Sequence, residues 1–165
     1  GLAQGAQPII GFNYGAGQLD RVRETFRLLF RSAFAATALL WAAVELFPGV
    51  FVAIFNDKPE LVEVTVRALR VYMAGTAIMG IQTSCQQTFV ALGQAKISLF
   101  LALLRKVILL IPLIFILPLV LTQDPVFAVY LAEPVADILA ATTTGLVFFR
   151  RFPRILEKRR RELEA

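Results

Sequence analysis

The stretch ISLFLALLRKVILLIPLIFILPLVL, residues 97–121, decides the fold: apart from Ser98 and the adjacent cations Arg105 and Lys106, every residue in it is apolar. At about 1.5 Å of rise per residue, a helix of this length exceeds the roughly 30 Å of bilayer hydrocarbon. A soluble helix as long would need a polar face for water, and no such face recurs here at helical spacing. Pro112 and Pro118 do not oppose the reading, because membrane helices tolerate proline where neighbours satisfy the freed carbonyls. The stretch reads as a membrane-spanning α-helix.

On either side the same test is met by residues 28–47, interrupted only by Arg31, Ser32, Thr37 and Glu45, by residues 71–92 and by residues 127–149. Residues 1–16 read as the end of a further helix. Pro48 and Gly49 break the 28–47 helix before a short apolar run, Val50 to Phe55. A turn is expected at Asn56-Asp57-Lys58-Pro59, where Asn56 or Asp57 can cap and Pro59 suits an early helical position. The charges of Glu60 to Arg70 make an amphipathic lead-in to the next span, and Gly93 closes that span.

The predicted fold class is all-α: a polytopic helical membrane bundle, with residues 1–149 forming the transmembrane part and residues 150–165 a basic tail expected to lie as a short helix on the inner membrane surface. Gly1 is not a methionine and stands inside an apolar, glycine-rich stretch, so the chain reads as a piece of a longer protein.

Composition agrees. Hydrophobic residues make up 58% of the chain and the mean hydropathy is +0.70, against the roughly 45–50% apolar content of soluble domains. A formal net charge of +5 raises the possibility of nucleic acid, but the cations cluster between apolar runs and the aromatics lie within those runs, so no basic face forms. The single cysteine, Cys85, excludes an internal disulfide and reads as a small packing residue; with no histidine the usual zinc constellations are absent.

Cationic residues also set the orientation, because cytoplasmic connections are enriched in Lys and Arg. Fourteen of the 17 fall on alternate connections: Arg21 to Arg31, Lys96 with Arg105 and Lys106, and Arg150 to Arg161. Lys58, Arg67 and Arg70 fall on the other side. This places the C-terminus of a multi-pass protein in the cytoplasm.

Three stretches carry a family resemblance. Residues 1–17, GLAQGAQPIIGFNYGAG, residues 86–96, QQTFVALGQAK, and residues 132–137, AEPVAD, resemble in order and spacing the C-terminal lobe of multidrug and toxic compound extrusion (MATE) transporters, in particular their MepA-like branch. The resemblance implies one partial lobe, about five helices, of a twelve-helix transporter built from two related lobes around a central cavity. It implies secondary active efflux: amphipathic or cationic compounds expelled against inward flow of H⁺ or Na⁺, with membrane lipid and the N-terminal lobe of the same chain as partners and no cofactor. No Gly-x-x-x-x-Gly-Lys-Ser/Thr loop is present for ATP.

In the first stretch, Gly5, Gly11 and Gly15 are expected to permit close helix approach, with Gln4, Gln7 and Asn13 hydrogen-bonding to neighbouring helices. Glu133 and Asp137, four residues apart, share a helix face, and Asp137 lies roughly 15 Å from Phe127, near the bilayer midplane. An ionisable group at that depth is expensive and marks a functional candidate. These two are the cation-coupling candidates; the alternative is that they pair with Arg105 or Lys106 and lock helices together. Of those two cations, one is expected to snorkel to the interface and the other to point inward.

Gln82, Thr83 and Gln86 share a stripe with Met79 and Val90 and, with Arg105, are the substrate-cavity candidates; interhelical hydrogen bonding is their other reading. Glu45 is expected at the outer interface. A lipid-linked oligosaccharide flippase of the same superfamily is a second function reading, requiring cations facing an anionic headgroup, for which only Arg105 and Lys106 are available. A membrane-embedded transferase would need converging acids with metal or histidine at one interface, and no such cluster is visible in the sequence.

Overall fold

The computed structural model describes residues 1–54 and 59–165. Its helices are α1 (Leu2–Gly15), α2 (Leu19–Leu46), α3 (Pro48–Ala53), α4 (Pro59–Met73), α5 (Met79–Ala91), α6 (Ala95–Leu103), α7 (Ile111–Val120) and α8 (Pro125–Glu164). A single 3₁₀ turn, Thr76–Ile78, joins α4 to α5, and a π-helical segment, Leu104–Leu110, joins α6 to α7. Among the described residues, four helical stretches are long and apolar enough to cross a membrane: Leu19–Leu46, Leu61–Ala91, Ala95–Val120 and Pro125–Glu164. The expected cap at Asn56 or Asp57 lies outside the described residues; Pro59 takes the first position of α4.

Packing follows the logic of a bundle in lipid. Large apolar side chains point outward, including Phe12, Phe115, Leu119 and Val120, each more than two-thirds exposed. Small residues point inward: on α8, Ala128, Ala132, Ala136 and Ala140 recur every four residues, all essentially inaccessible. Lipid tails are as apolar as leucine, so helices gain little by hiding large side chains from them and associate through close backbone packing instead.

Gly80 sits at a tight crossing: a Cβ there would stand 2.7 Å from the carbonyl oxygen of Ala33 and 2.8 Å from Cα of Phe34, both backbone atoms of α2. The Thr37 hydroxyl stands at the same crossing, 3.2 Å from the Ala77 carbonyl and 3.1 Å from the carbonyls of Ala33 and Phe34 in its own helix, any of which can accept its proton. Towards the C-terminal end of α8 the interior changes character. Phe148 is fully buried, with ring centroids of Phe26, Phe152 and Phe89 at 4.5, 4.8 and 5.0 Å.

Two turns have one design. After α1, Gly17 takes φ +73°, and Gln18 N–H donates to Asn13 at 2.8 Å; after α5, Gly93 takes φ +72°, and Gln94 N–H donates to Phe89 at 2.8 Å. In each, a left-handed glycine lets the next amide reach back to a helix carbonyl, closing the helix end. The expected stop at Gly93 is therefore present.

The tail departs from expectation. Residues 150–164 do not form a separate surface helix but continue α8 without interruption through Pro153. Phe152 and Leu156 remain buried against the bundle, and Leu163 packs on Gly17. The buried stripe of α8 thus continues past the last apolar window, with Phe152 against Phe26 of α2, ring centroids 5.2 Å apart, and burying it in the bundle outweighs laying it on a membrane surface.

Candidate functional site

The two acids and two cations singled out from sequence meet. Asp137 and Glu133 stand on α8, Arg105 and Lys106 on the π-helical segment between α6 and α7. Arg105 Nε donates to Asp137 Oδ1 at 2.6 Å and its Nη2 to Glu133 Oε1 at 3.4 Å; Lys106 Nζ reaches the same Glu133 oxygen at 3.2 Å. Side-chain exposure separates the two cations, at 20% for Arg105 and 55% for Lys106. One cation points into the bundle and its neighbour reaches outward. The formal charges of the four groups cancel, and Asp137, 6% exposed, is the most enclosed.

Both helices opposite Asp137 are irregular. The π-helical turn carries one extra residue per hydrogen-bonded ring, which rotates Arg105 and Lys106 relative to a straight α-helix; such turns recur at functional sites. On the other side, the chain leaves α4 at Met73, passes Ala74 and Gly75, and enters the 3₁₀ turn before α5. Gly75 is pressed against α8: a Cβ there would lie 2.8 Å from Asp137 Cβ and 3.1 Å from Pro134 Cα. Pro134 itself lacks an N–H for the carbonyl four residues earlier, loosening α8 beside the same acid. A buried carboxylate, an arginine on a π turn and a broken helix therefore converge at one depth.

The polar face of α5 divides into two. Gln82 is only 2% exposed and its Oε1 meets no hydrogen-bond partner among the described residues. Thr83 turns the other way, into a groove of about 390 Å³ that it shares with Gln87, Thr37, Gln4 and the small residues Ala33 and Ala36. Gln86 is half-buried between them. One stripe does not hold all the cavity candidates, because Gln82 and Thr83 are adjacent and their side chains diverge by about 100° around a helix. Gln87, Gln4 and Thr37 were not singled out for this groove from sequence; their polarity within apolar runs was the available signal.

In α1 the interhelical contacts of the singled-out residues within this chain are few. Of Gly5, Gly11 and Gly15, only Gly11 meets another helix, at 3.4 Å from the Ala91 carbonyl; nothing lies within 4 Å of a Cβ at Gly5 or Gly15. Both are on the exposed side of α1. Asn13 is buried but donates to Ile9 of its own helix at 2.8 Å, and Gln4 and Gln7 make no interhelical hydrogen bond among the described residues. Glu45, expected at the outer interface, is paired with Arg70, 3.8 Å between charged groups and 3.0 Å from Arg70 to its backbone carbonyl.

Comparison with known proteins bears on this arrangement. A solved MATE multidrug transporter, DinF-BH, determined with a compound bound, superposes with a TM-score of 0.82 at 34% identity over 90% of the chain and 33% of its own length. A second solved chain, called protein A, gives a TM-score of 0.81 at 34% identity over 90% of the chain and 32% of its own. An uncharacterised protein of Mycoplasma pneumoniae, the MG447 homolog, is 26% identical over 118 residues, 70% of the chain and 22% of its own length. The chain thus spans a third or less of the relatives it matches. The sequence pattern of the MatE family matches residues 1–116, from α1 through the π-helical segment into α7. By that match and the shared helical architecture, the chain belongs to the MatE family.

Proposed function

We propose that the chain supplies part of the C-terminal lobe of a secondary active efflux transporter, which expels amphipathic, often cationic compounds against inward H⁺ or Na⁺. The observation that carries this reading is the enclosed Arg105–Asp137 pair, set between a π turn and a helix break. Ion-coupled carriers place their ion sites at such interruptions near the midplane, where irregular backbone lines a cavity. Charged groups there mark ion or substrate pathways. Asp137 and Glu133 are the coupling acids in this proposal, with Arg105 as the counter-charge that Asp137 holds when no cation is loaded. The groove at Thr83 and Gln87 is the segment of wall offered to substrate.

The positive-inside asymmetry orients the lobe with the α1–α2 turn, the α5–α6 turn and the end of α8 in the cytoplasm of a bacterial cell. The flippase reading loses its support: it required cations free for an anionic headgroup, and Arg105 and Lys106 both hold carboxylates.

The test is efflux of a cationic, amphipathic fluorescent dye from vesicles containing the full-length protein, with ΔpH and ΔNa⁺ imposed separately. Efflux is expected to follow at least one gradient, and Asp137→Asn at unchanged expression is expected to abolish the coupling. Efflux indifferent to both gradients would remove the antiport reading. Undiminished, gradient-driven transport by the Asp137→Asn variant would remove that residue from it.

A further inference from the structure

We infer that a groove beside the emerging end of α8 is a binding site for the phosphodiester headgroup of an anionic phospholipid. This goes beyond the transport reading and does not depend on it. The groove, about 280 Å³, lies where three sequence-distant pieces meet: Tyr14 at the end of α1, Gln94 in the α5–α6 turn, and Arg151, Arg154, Lys158 and Glu162 on α8.

The charges in it are not balanced. Glu162 is taken up by Lys158 at 3.8 Å and Arg159 at 3.4 Å, and Glu157 by Arg161 at 3.4 Å. Among the described residues Arg151 and Arg154 have no carboxylate within ion-pairing distance and make no side-chain hydrogen bond. Three positions apart, they project from one face of the helix. Two guanidinium forks offered side by side match the geometry of a phosphodiester, which accepts paired N–H donors. The Tyr14 hydroxyl and the Gln94 amide supply further donors at the rim, and Ile155 gives the groove one apolar wall.

Depth and rigidity point to a lipid rather than a soluble anion. Counting from Phe127, about 20 helical residues consume the roughly 30 Å of hydrocarbon, so Arg151 and Arg154 fall roughly 6 and 10 Å beyond it, at headgroup level. They ride on a fixed scaffold, since Phe152 and Leu156 are buried and Leu163 packs on Gly17. Arg159 donates to the Gly15 carbonyl at 3.2 Å, with its guanidinium 5.8 Å from the centre of the Tyr14 ring. The stretch of α8 that carries the arginines is therefore fixed in depth before any lipid arrives, which lowers the ordering cost of binding.

The experiment titrates the purified full-length protein in neutral detergent with phosphatidylglycerol or phosphatidylcholine and counts retained lipids by native mass spectrometry. Wild type is expected to retain phosphatidylglycerol in preference to phosphatidylcholine. Arg151→Gln with Arg154→Gln is expected to weaken that retention about tenfold or more, the scale of one lost charge-assisted hydrogen bond, while Arg151→Lys with Arg154→Lys keeps part of it. Arg21→Gln with Arg27→Gln, which removes the same charge from exposed positions on α2, is expected to leave retention unchanged. Each double variant is checked for an unaltered unfolding midpoint, and the lysine variant carries the comparison if the α8 glutamine one is unfolded. Equal loss in the α2 variant would mean diffuse attraction and overturn the site. So would absence of preference in wild type, the result expected if another segment of the protein fills the groove. Displacement of the lipid by millimolar inorganic phosphate would assign the groove to a soluble anion and overturn it too.

Discussion

Arg105 Nε and Asp137 Oδ1 are 2.6 Å apart, joining the π-helical turn of one span to the last helix, and both side chains are largely enclosed, 20% and 6% exposed. Removing one partner strands the other in a medium that solvates it poorly. Arg105→Leu or Asp137→Leu alone is expected to cost about 3–5 kcal/mol, whereas the double variant Arg105→Leu/Asp137→Leu recovers most of the loss because neither charge then remains buried. Lys106→Gln, at a side chain 55% exposed, is expected to cost less than about 1 kcal/mol. Thermal unfolding of the full-length protein in detergent measures all four.

Gly80 tests the helix crossing. The atoms its Cβ would meet belong to the backbone of α2, at 2.7 and 2.8 Å, so no rotamer change can relieve the contact and the helices must part. Gly80→Ala is expected to destabilise by about 1–3 kcal/mol, the usual cost of overpacking. Gly49→Ala, with nothing within 4 Å, is expected to stay within about 0.5 kcal/mol of wild type. Unfolding midpoints of the two variants, compared side by side, check the contrast.

Phe148 is the hub of the aromatic cluster and is inaccessible, while its neighbour Phe149 is 55% exposed. Phe148→Ala leaves a cavity among Phe26, Phe89 and Phe152, and the expected loss lies at the lower end of about 3–5 kcal/mol, since in lipid the packing term remains but transfer from water contributes little. Phe149→Ala is expected to lose less. Equal losses would show that the cluster is not packed as described.

Orientation can be read with a membrane-impermeant thiol reagent. The native Cys85 is buried, so it gives a silent background. Gln123→Cys, in the exposed turn before α8, is expected to label in intact cells, and Glu164→Cys, exposed at the other end of α8, only after permeabilisation. The reverse pattern would invert the topology.

What the sequence determined by itself was the solvent and the one-dimensional plan. Runs such as residues 97–121 are too apolar for water, and the distribution of lysine and arginine orders the connections; both are sums over neighbours in the chain and need no knowledge of packing. The acids at Glu133 and Asp137 were legible for the same reason, since charge in an apolar run stands out wherever its helix points. Whether those acids faced a cavity or held Arg105 and Lys106 was not legible, because partners 27 to 32 residues away are brought into reach by the π turn at Leu104–Leu110 and the packing of α8 against it. Gly75 could be seen in sequence but not its contact with Asp137, nor could Gln82 be separated from Thr83 on α5. The glycines of α1 were legible only as places where a helix can approach; within this chain the neighbouring backbone meets Gly11 and not Gly5 or Gly15. The tail continues α8 because Phe152 and Leu156 are buried in the bundle and Leu163 meets Gly17 in the α1–α2 turn, surfaces that exist only once the helices have assembled.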